Sequence, residues 1–430
     1  MSVISLIIVG TLFLGSFVMN QKKYNPTTIF CGLFFGVLFI ASIDWFGLYE
    51  SPDISYILIT LGVLFFFVGS ELTKKIYLKI GSYNEERKIK LNDKVFYVAI
   101  IVCLLILLPR IIAVLFYIVQ GNSFGNIYVT VAASMGGEDG ELAQSSMFSL
   151  LTQFIAYPIL YSVVPISLVQ FFNTYKFKYL LISTFLATIR VFLDSRRTYI
   201  FTFFIMLIFE IICHRREILS SEIISKIRAR KIYRWALMLI VLLVLSFIVI
   251  SNSRWSAQGV KGSIYSTVIN YFGGCVQYFG KCIETYNYNP TYGFSSLRGF
   301  FAPIFGILGL IGIRAPQPYV EATEIVNNMK YIVIEVSEGK KYNSFTTCFY
   351  QFYCDGGVAG VIIMSFLYGV FAQSLYKRFT RYKDIRSEAK YIYFLGSILV
   401  LSFTNMLTIL AYVAMPLIFD FIFYKKVGEE

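Results

Sequence analysis

Two adjacent guanidiniums, Arg196 and Arg197, fill the turn DSRRT between two apolar runs. Arginine is planar, permanently charged and able to grip two oxygens at once, which suits phosphate. Asp194 offers one of them a plainer role, as an ion-pair partner within the same turn. Arg110, in LLILLPRIIAVLF, and Arg190, in ATIRVFLD, interrupt apolar runs. An arginine near a bilayer centre costs about 2.5–3.5 kcal/mol on insertion scales, so each is expected to face a partner, a cavity or an interface. Snorkelling is the plain reading for Arg190, near a run's end, while Arg110 sits deeper and follows a helix-bending proline. Arg254, Arg298 and Arg314 add positive charge to the long segment 251–357.

Candidate bases are fewer. The single histidine, His214, lies in CHRRE, beside basic residues. Among the acids of the long segment, Asp355 stands out because YCDGGVAG puts it immediately before an apolar run, where partial burial would tune a carboxyl for proton transfer. Capping the following helix is an equal alternative. Tyrosines and phenylalanines crowd the same segment and suit either a membrane interface or the apolar faces of sugars. Neither a phosphate-binding loop nor a dinucleotide fingerprint is present. Cys275, Cys282, Cys348 and Cys354 allow one disulfide without demanding it.

The elements that hold these residues follow from composition. Of 430 residues, 57% are hydrophobic and 15% charged, against roughly a quarter charged in a soluble protein. Continuous apolar runs, rather than alternation over about ten residues, predict an all-α polytopic membrane protein. Spans are expected near 3–19, 27–45, 54–70, 95–119, 147–172, 179–193, 198–213, 235–250, 358–375, 391–403 and 407–424, about eleven in all. The last two come from one stretch divided at Ser402–Asn405, because a single helix of that length overshoots the bilayer core. The first run lacks a preceding basic residue and a following small-residue cleavage site, so it reads as a span and not as a cleaved signal. Three blocks result: a bundle of about eight spans over 1–250, a large external loop over 251–357, and about three spans over 358–430. Gly299–Ile313 reads as a re-entrant or interfacial helix inside that loop, too short to span.

Charge orients the chain. The loops 20–26, 71–94, 173–178, 214–234, 376–390 and the C-terminus carry 26 of the 38 basic residues, whereas 46–53 and 120–146 carry none. Positive loops face the cytoplasm, which puts 251–357 outside and accounts for the net charge of +13 without nucleic acid.

On these motifs the chain resembles the Wzy-type polymerases of bacterial O-antigen and capsule repeat units. DSRRTYIFTFF resembles the family's Arg-bearing corner, with Arg197 the closer equivalent. NPTYGFSSLRGFF resembles its external Tyr-Gly motif, and YNSFTTCFYQFYCDGGVAG its Asn-x-x-Thr, Tyr and Asp-x-Gly entry into a long span. The resemblance implies a GT-C-like, inverting, metal-independent glycosyltransferase with no cofactor. Its substrate would be undecaprenyl-diphosphate-linked oligosaccharide at the outer face of a bacterial cytoplasmic membrane. Membrane lipid, a chain-length regulator and a flippase would be its partners, and nucleic acid would not. On that reading Arg197 and Asp355 are catalytic, while Arg196, Arg254, Arg298, Arg314, Arg190, Arg110, Tyr342, Asn343, Thr346 and Tyr350 bind diphosphate or glycan. A related O-antigen ligase would carry an external histidine. A flippase or exporter of the same lipid would show internal repeats and no large external segment. A scaffolding subunit would tolerate loss of the arginines.

Overall fold

The computed structural model describes residues 1–20, 24–43, 47–79, 89–123, 126, 127, 130, 146–194, 198–220, 234, 235, 238, 241, 245, 248, 249, 264–286, 289–329, 332–342, 345–418 and 422–426. Arg196, Arg197, Arg254, Asn343 and most of the span expected at 235–250 lie outside the described residues. The chain is predominantly helical. Its helices are α1 (Ser2–Met19), α2 (Pro26–Ser42), α3 (Asp53–Lys79), α4 (Asp93–Val119), α5 (Ser146–Leu151), α6 (Tyr157–Thr174), α7 (Phe177–Asp194), α8 (Thr198–Ser220), α9 (Ile264–Glu284), α10 (Arg298–Leu310), α11 (Gln317–Met329), α12 (Cys348–Tyr382), α13 (Ile385–Ser397) and α14 (Leu410–Ile418). A π-helical turn, Thr152–Ala156, joins α5 to α6.

Five of these stretches are long and apolar enough to cross a membrane: Ser2–Met19, Asp53–Ile76, Asp93–Val119, Phe148–Thr174 and Cys348–Tyr382. Pro26–Ser42, Thr198–His214 and Arg298–Leu310 are apolar but shorter. Eleven spans were expected; these five are those that qualify among the described residues. Near the C-terminus the chain does break where Ser402–Asn405 interrupts the apolar run, yet among the described residues neither side forms a spanning helix. α13 covers 13 residues and α14 covers 9, with 3-10 turns at Ile398–Ser402 and Met406–Thr408 between them. At 1.5 Å per residue these helices reach about 20 Å and about 14 Å, short of a core of about 30 Å. The same arithmetic keeps the 13-residue α10 from crossing, as its sequence suggested.

The architecture is not purely helical. Strand β1 (Ile89–Leu91) pairs antiparallel with β4 (Tyr424–Lys426), and β2 (Ile334–Ser337) pairs with β3 (Lys340–Tyr342) around a turn at Gly339.

By contacts the chain divides into two compact units that interleave in sequence: 1–86 with 265–383 and 397–413, and 87–264 with 384–396 and 414–430. They cut across the linear blocks 1–250, 251–357 and 358–430, and the pairing of α12 with α3 shows why. A Cβ on Gly69 would run into the Phe366 carbonyl oxygen, and one on Gly369 would meet that of Phe66. Reciprocal glycines let two helix backbones touch, the small-residue contact that dispersion and interhelical polar bonds favour where no hydrophobic effect operates. Buried polar groups reinforce this first unit. Gln373 Oε1 accepts from Asn25 Nδ2 at 3.4 Å and Ser70 Oγ at 3.2 Å, and Ser70 bonds Thr27. Asn25 also starts α2, its Oδ1 accepting from Thr27 N at 2.9 Å with Pro26 at the first helical position. Outward faces are apolar: Ile4, Ile7 and Leu14 on α1, and Ile101, Leu105 and Phe116 on α4, are exposed. Burying each such side chain is worth about 1.5–3 kcal/mol over leaving it in water, a cost that hydrocarbon removes.

Candidate functional site

Helix α12 is bent. Its first segment ends at Asp355, and the chain then passes through Gly356 and Gly357, the latter at φ 62° and ψ −140°. Only glycine adopts that left-handed conformation at little cost, which explains the second glycine of DGG. Asp355 therefore does not cap the helix after it. Its carboxylate reaches sideways to the loop Thr291–Leu297, from the NPTYGFSSLRG stretch. Oδ1 accepts from the Thr291 hydroxyl at 2.6 Å and from Ser295 N at 3.0 Å, and Oδ2 accepts from Ser296 N at 3.1 Å. The backbone completes the clasp: Thr291 N donates to Cys354 O at 3.0 Å, and Tyr292 N to Asp355 O at 3.1 Å.

From the opposite side the break at 403–405 holds the same loop. Asn405 Nδ2 donates to Ser296 O at 2.8 Å, and a Cβ on Gly299 would lie 2.6 Å from the Leu407 carbonyl oxygen. Beneath it an aromatic cluster ties α10 to α11, with ring centroids 4.7 Å apart for Phe294 and Phe301 and 4.5 Å for Phe305 and Tyr319. Two motifs that sequence spacing singled out separately, and a third that served only to divide a helix, thus meet in one unit.

The clasp presents three groups. Tyr292 stands at the crest with φ 51° and 75% exposure, a strained backbone for a large side chain. Arg298, two residues past Ser296, is half-buried, and among the described residues it makes no hydrogen bond or ion pair. Desolvation pulls its pKa below the ordinary arginine value, with the Tyr319 phenol a smaller opposing influence. Glu321 on α11 accepts from Asn289 Nδ2 at 3.4 Å and Gln317 Nε2 at 3.3 Å through Oε1, while its Oε2 is buried without a hydrogen-bond partner among the described residues. An unpaired cation, an exposed aromatic ring and a half-occupied carboxylate can bind an anion, stack on a sugar face and accept a proton.

Other expected residues fall elsewhere. Arg314 lies on the exposed coil after α10. Tyr342 and Tyr350 are 7% and 3% exposed, so both belong to the interior of the first unit and not to a glycan-facing wall. The Tyr342 hydroxyl is spent on Tyr271 O at 3.2 Å, and its ring packs against Tyr278. Thr346 is fully buried. In the second unit Arg110 is half-buried within α4. Snorkelling does not describe Arg190, which is buried: its guanidinium sits 3.4 Å from the Tyr157 ring centroid and donates to Tyr199 Oη at 2.5 Å. All seven cysteines are free, so the disulfide that the long segment allowed does not form.

Thr291, Ser295, Ser296 and Asn405 were not among the expected site residues. Their types are common loop builders, and only the Pro-Thr-Tyr-Gly turn signal marked the place. No protein-family model, curated protein or solved structure matches the chain.

Proposed function

We propose that the protein joins lipid-linked oligosaccharide repeat units, as its resemblance to Wzy-type polymerases implies, with the loop Thr291–Arg298 as a substrate contact. The reading is carried by Arg298, a half-buried guanidinium without a carboxylate partner among the described residues. Burying a cation unpaired is costly unless an anion completes it. A carrier diphosphate fits, because the planar fork binds its oxygens and stabilises the charge that grows as the glycosyl bond breaks. The chemistry breaks the bond between the anomeric carbon and the diphosphate, forms one to the acceptor hydroxyl oxygen with inversion, and sends that hydroxyl's proton to a carboxylate.

In this reading Asp355 is a positioning residue, since all three of its bonds go to the loop. Glu321, with a buried and unengaged Oε2, is the better base. Tyr292 supplies a ring for the sugar face.

The test is reconstitution of the full chain in liposomes with a synthetic lipid-linked repeat unit. Chain growth without a second enzyme is expected. Arg298→Ala should reduce it at least 100-fold, on the order of one lost charge-assisted contact in the transition state, and Arg298→Lys should restore part. Glu321→Gln should lower the rate. Normal growth by both Arg298 variants sinks the diphosphate role, and movement of the lipid across the bilayer without growth replaces the polymerase by a flippase.

A further inference from the structure

A second cluster lies in the other unit and takes no part in the chemistry above. Helix α8 carries Glu210 and His214 one turn apart, and α13 brings Glu388 against them; all three are buried. His214 Nδ1 lies 3.2 Å from Glu210 Oε2 and 3.2 Å from the Glu210 carbonyl oxygen, while Nε2 faces Glu388 Oε1 at 3.5 Å. One ligand atom from each residue falls within 4.8 Å of the other two. Glu210 is fully buried, and its Oε1 has no hydrogen-bond partner among the described residues.

We infer that Glu210, His214 and Glu388 form a binding site for one divalent transition-metal ion, with zinc the best fit. Two observations carry this independently of the cluster's acidity. The first is distance: 3.5 Å between Nε2 and Oε1 is the separation of two ligands about 2.1 Å from a common ion at roughly the tetrahedral angle. The second is the unengaged, fully buried Glu210 Oε1, in a carboxylate that has a ligand atom within 4.8 Å of those of the other two residues.

The surroundings resemble the outer shell that orients metal ligands. The Glu210 carbonyl lies against the Nδ1 edge of the imidazole, and Nε2 faces Glu388, the edge at which the ion would sit. Asn173 Nδ2 donates to Glu388 Oε2 at 3.0 Å, which aims Oε1 at the histidine. The Phe172 ring stacks on the imidazole with centroids 5.6 Å apart and covers the site with an apolar wall. One imidazole and two carboxylates suit zinc, manganese or iron(II) better than calcium or magnesium. Bound metal would cross-link α8 to α13 while α6 supplies the orienting groups.

The experiment uses the full chain purified in detergent through a histidine-free tag, stripped with a chelator and titrated with ZnCl2 alone. About one zinc per chain by elemental analysis, with a rise in thermal midpoint, is the expected result. His214→Ala and Glu388→Gln should each abolish binding. Asn173→Ala, which keeps every ligand, should bind with 10–100-fold weaker affinity and shows the loss to be local if the other variants misfold. Cobalt(II) at the site should give the intense visible bands of a low-coordinate ion. Zinc uptake that is absent, or equal in wild type and His214→Ala, overturns the proposal and leaves the trio as a proton-held ion pair.

Discussion

Asp355 shows how one carboxylate can organise a loop. Two backbone N–H groups, Ser295 and Ser296, and the Thr291 hydroxyl converge on it, and it is 6% exposed. Hydrogen bonds to a charged acceptor contribute about 1.5–3 kcal/mol each, more than neutral ones, and orphaning a buried donor forfeits its solvation as well. Asp355→Asn keeps the volume but turns an NH2 toward a donor. The variant should lose about 1.5–3 kcal/mol of stability and expose Tyr292–Ser296 to proteolysis, measured by thermal unfolding and limited digestion. A variant that keeps its thermal midpoint but stops polymerising would instead restore Asp355 to the chemistry. Such an arrangement is invisible in YCDGGVAG alone, where the same aspartate reads equally well as base or cap.

Among elements, the contact between α3 and α12 governs the first unit. Each helix offers a glycine to the other's carbonyl oxygen, Gly69 to Phe366 and Gly369 to Phe66. Neither glycine stands out in the sequence; the structure gives both a packing reason. Overpacking such a contact costs about 1–3 kcal/mol, so Gly69→Ala and Gly369→Ala should each lower the thermal midpoint. Because both act by separating the same pair of helices, their effects should fall short of additive in the double variant, which a thermal-shift series would reveal. Full additivity would mean that the two backbones do not move as one contact.

For the whole molecule, burial of ionisable groups in the long segment makes stability depend on alkali. Burial pushes the Cys282 thiol up to about 12 from its ordinary 9.0, and raises Cys275, Tyr286 and Tyr342 as well. The sign follows from linkage: a pKa raised by folding means that the folded chain holds a proton that the unfolded chain releases. Stability is then at its full value below about pH 9 and is lost as pH climbs toward about 12. Melting curves between pH 8 and 11 should fall steadily above 9. Thiol counting in denaturant should find the seven cysteines free with or without prior reduction; fewer without reduction would reveal a disulfide.

Local pattern determined much of this protein. Continuous apolar runs marked where helices lie, the Ser402–Asn405 interruption marked a real break, and the length of the apolar run at Gly299–Ile313 favoured a re-entrant or interfacial helix over a span. These follow from periodicity and length, properties that neighbouring residues express among themselves. Tertiary structure alone decided which runs are long and continuous enough to cross a membrane, and that Arg190 lies buried between aromatic rings. It alone joined Asp355 to Ser295, and Glu388 to His214, across 60 and 174 positions of chain. A lone pair accepts whatever donor the packed helices bring to it, and that partner is set by how backbones approach one another, as the reciprocal glycines of α3 and α12 do, and by no spacing along the chain.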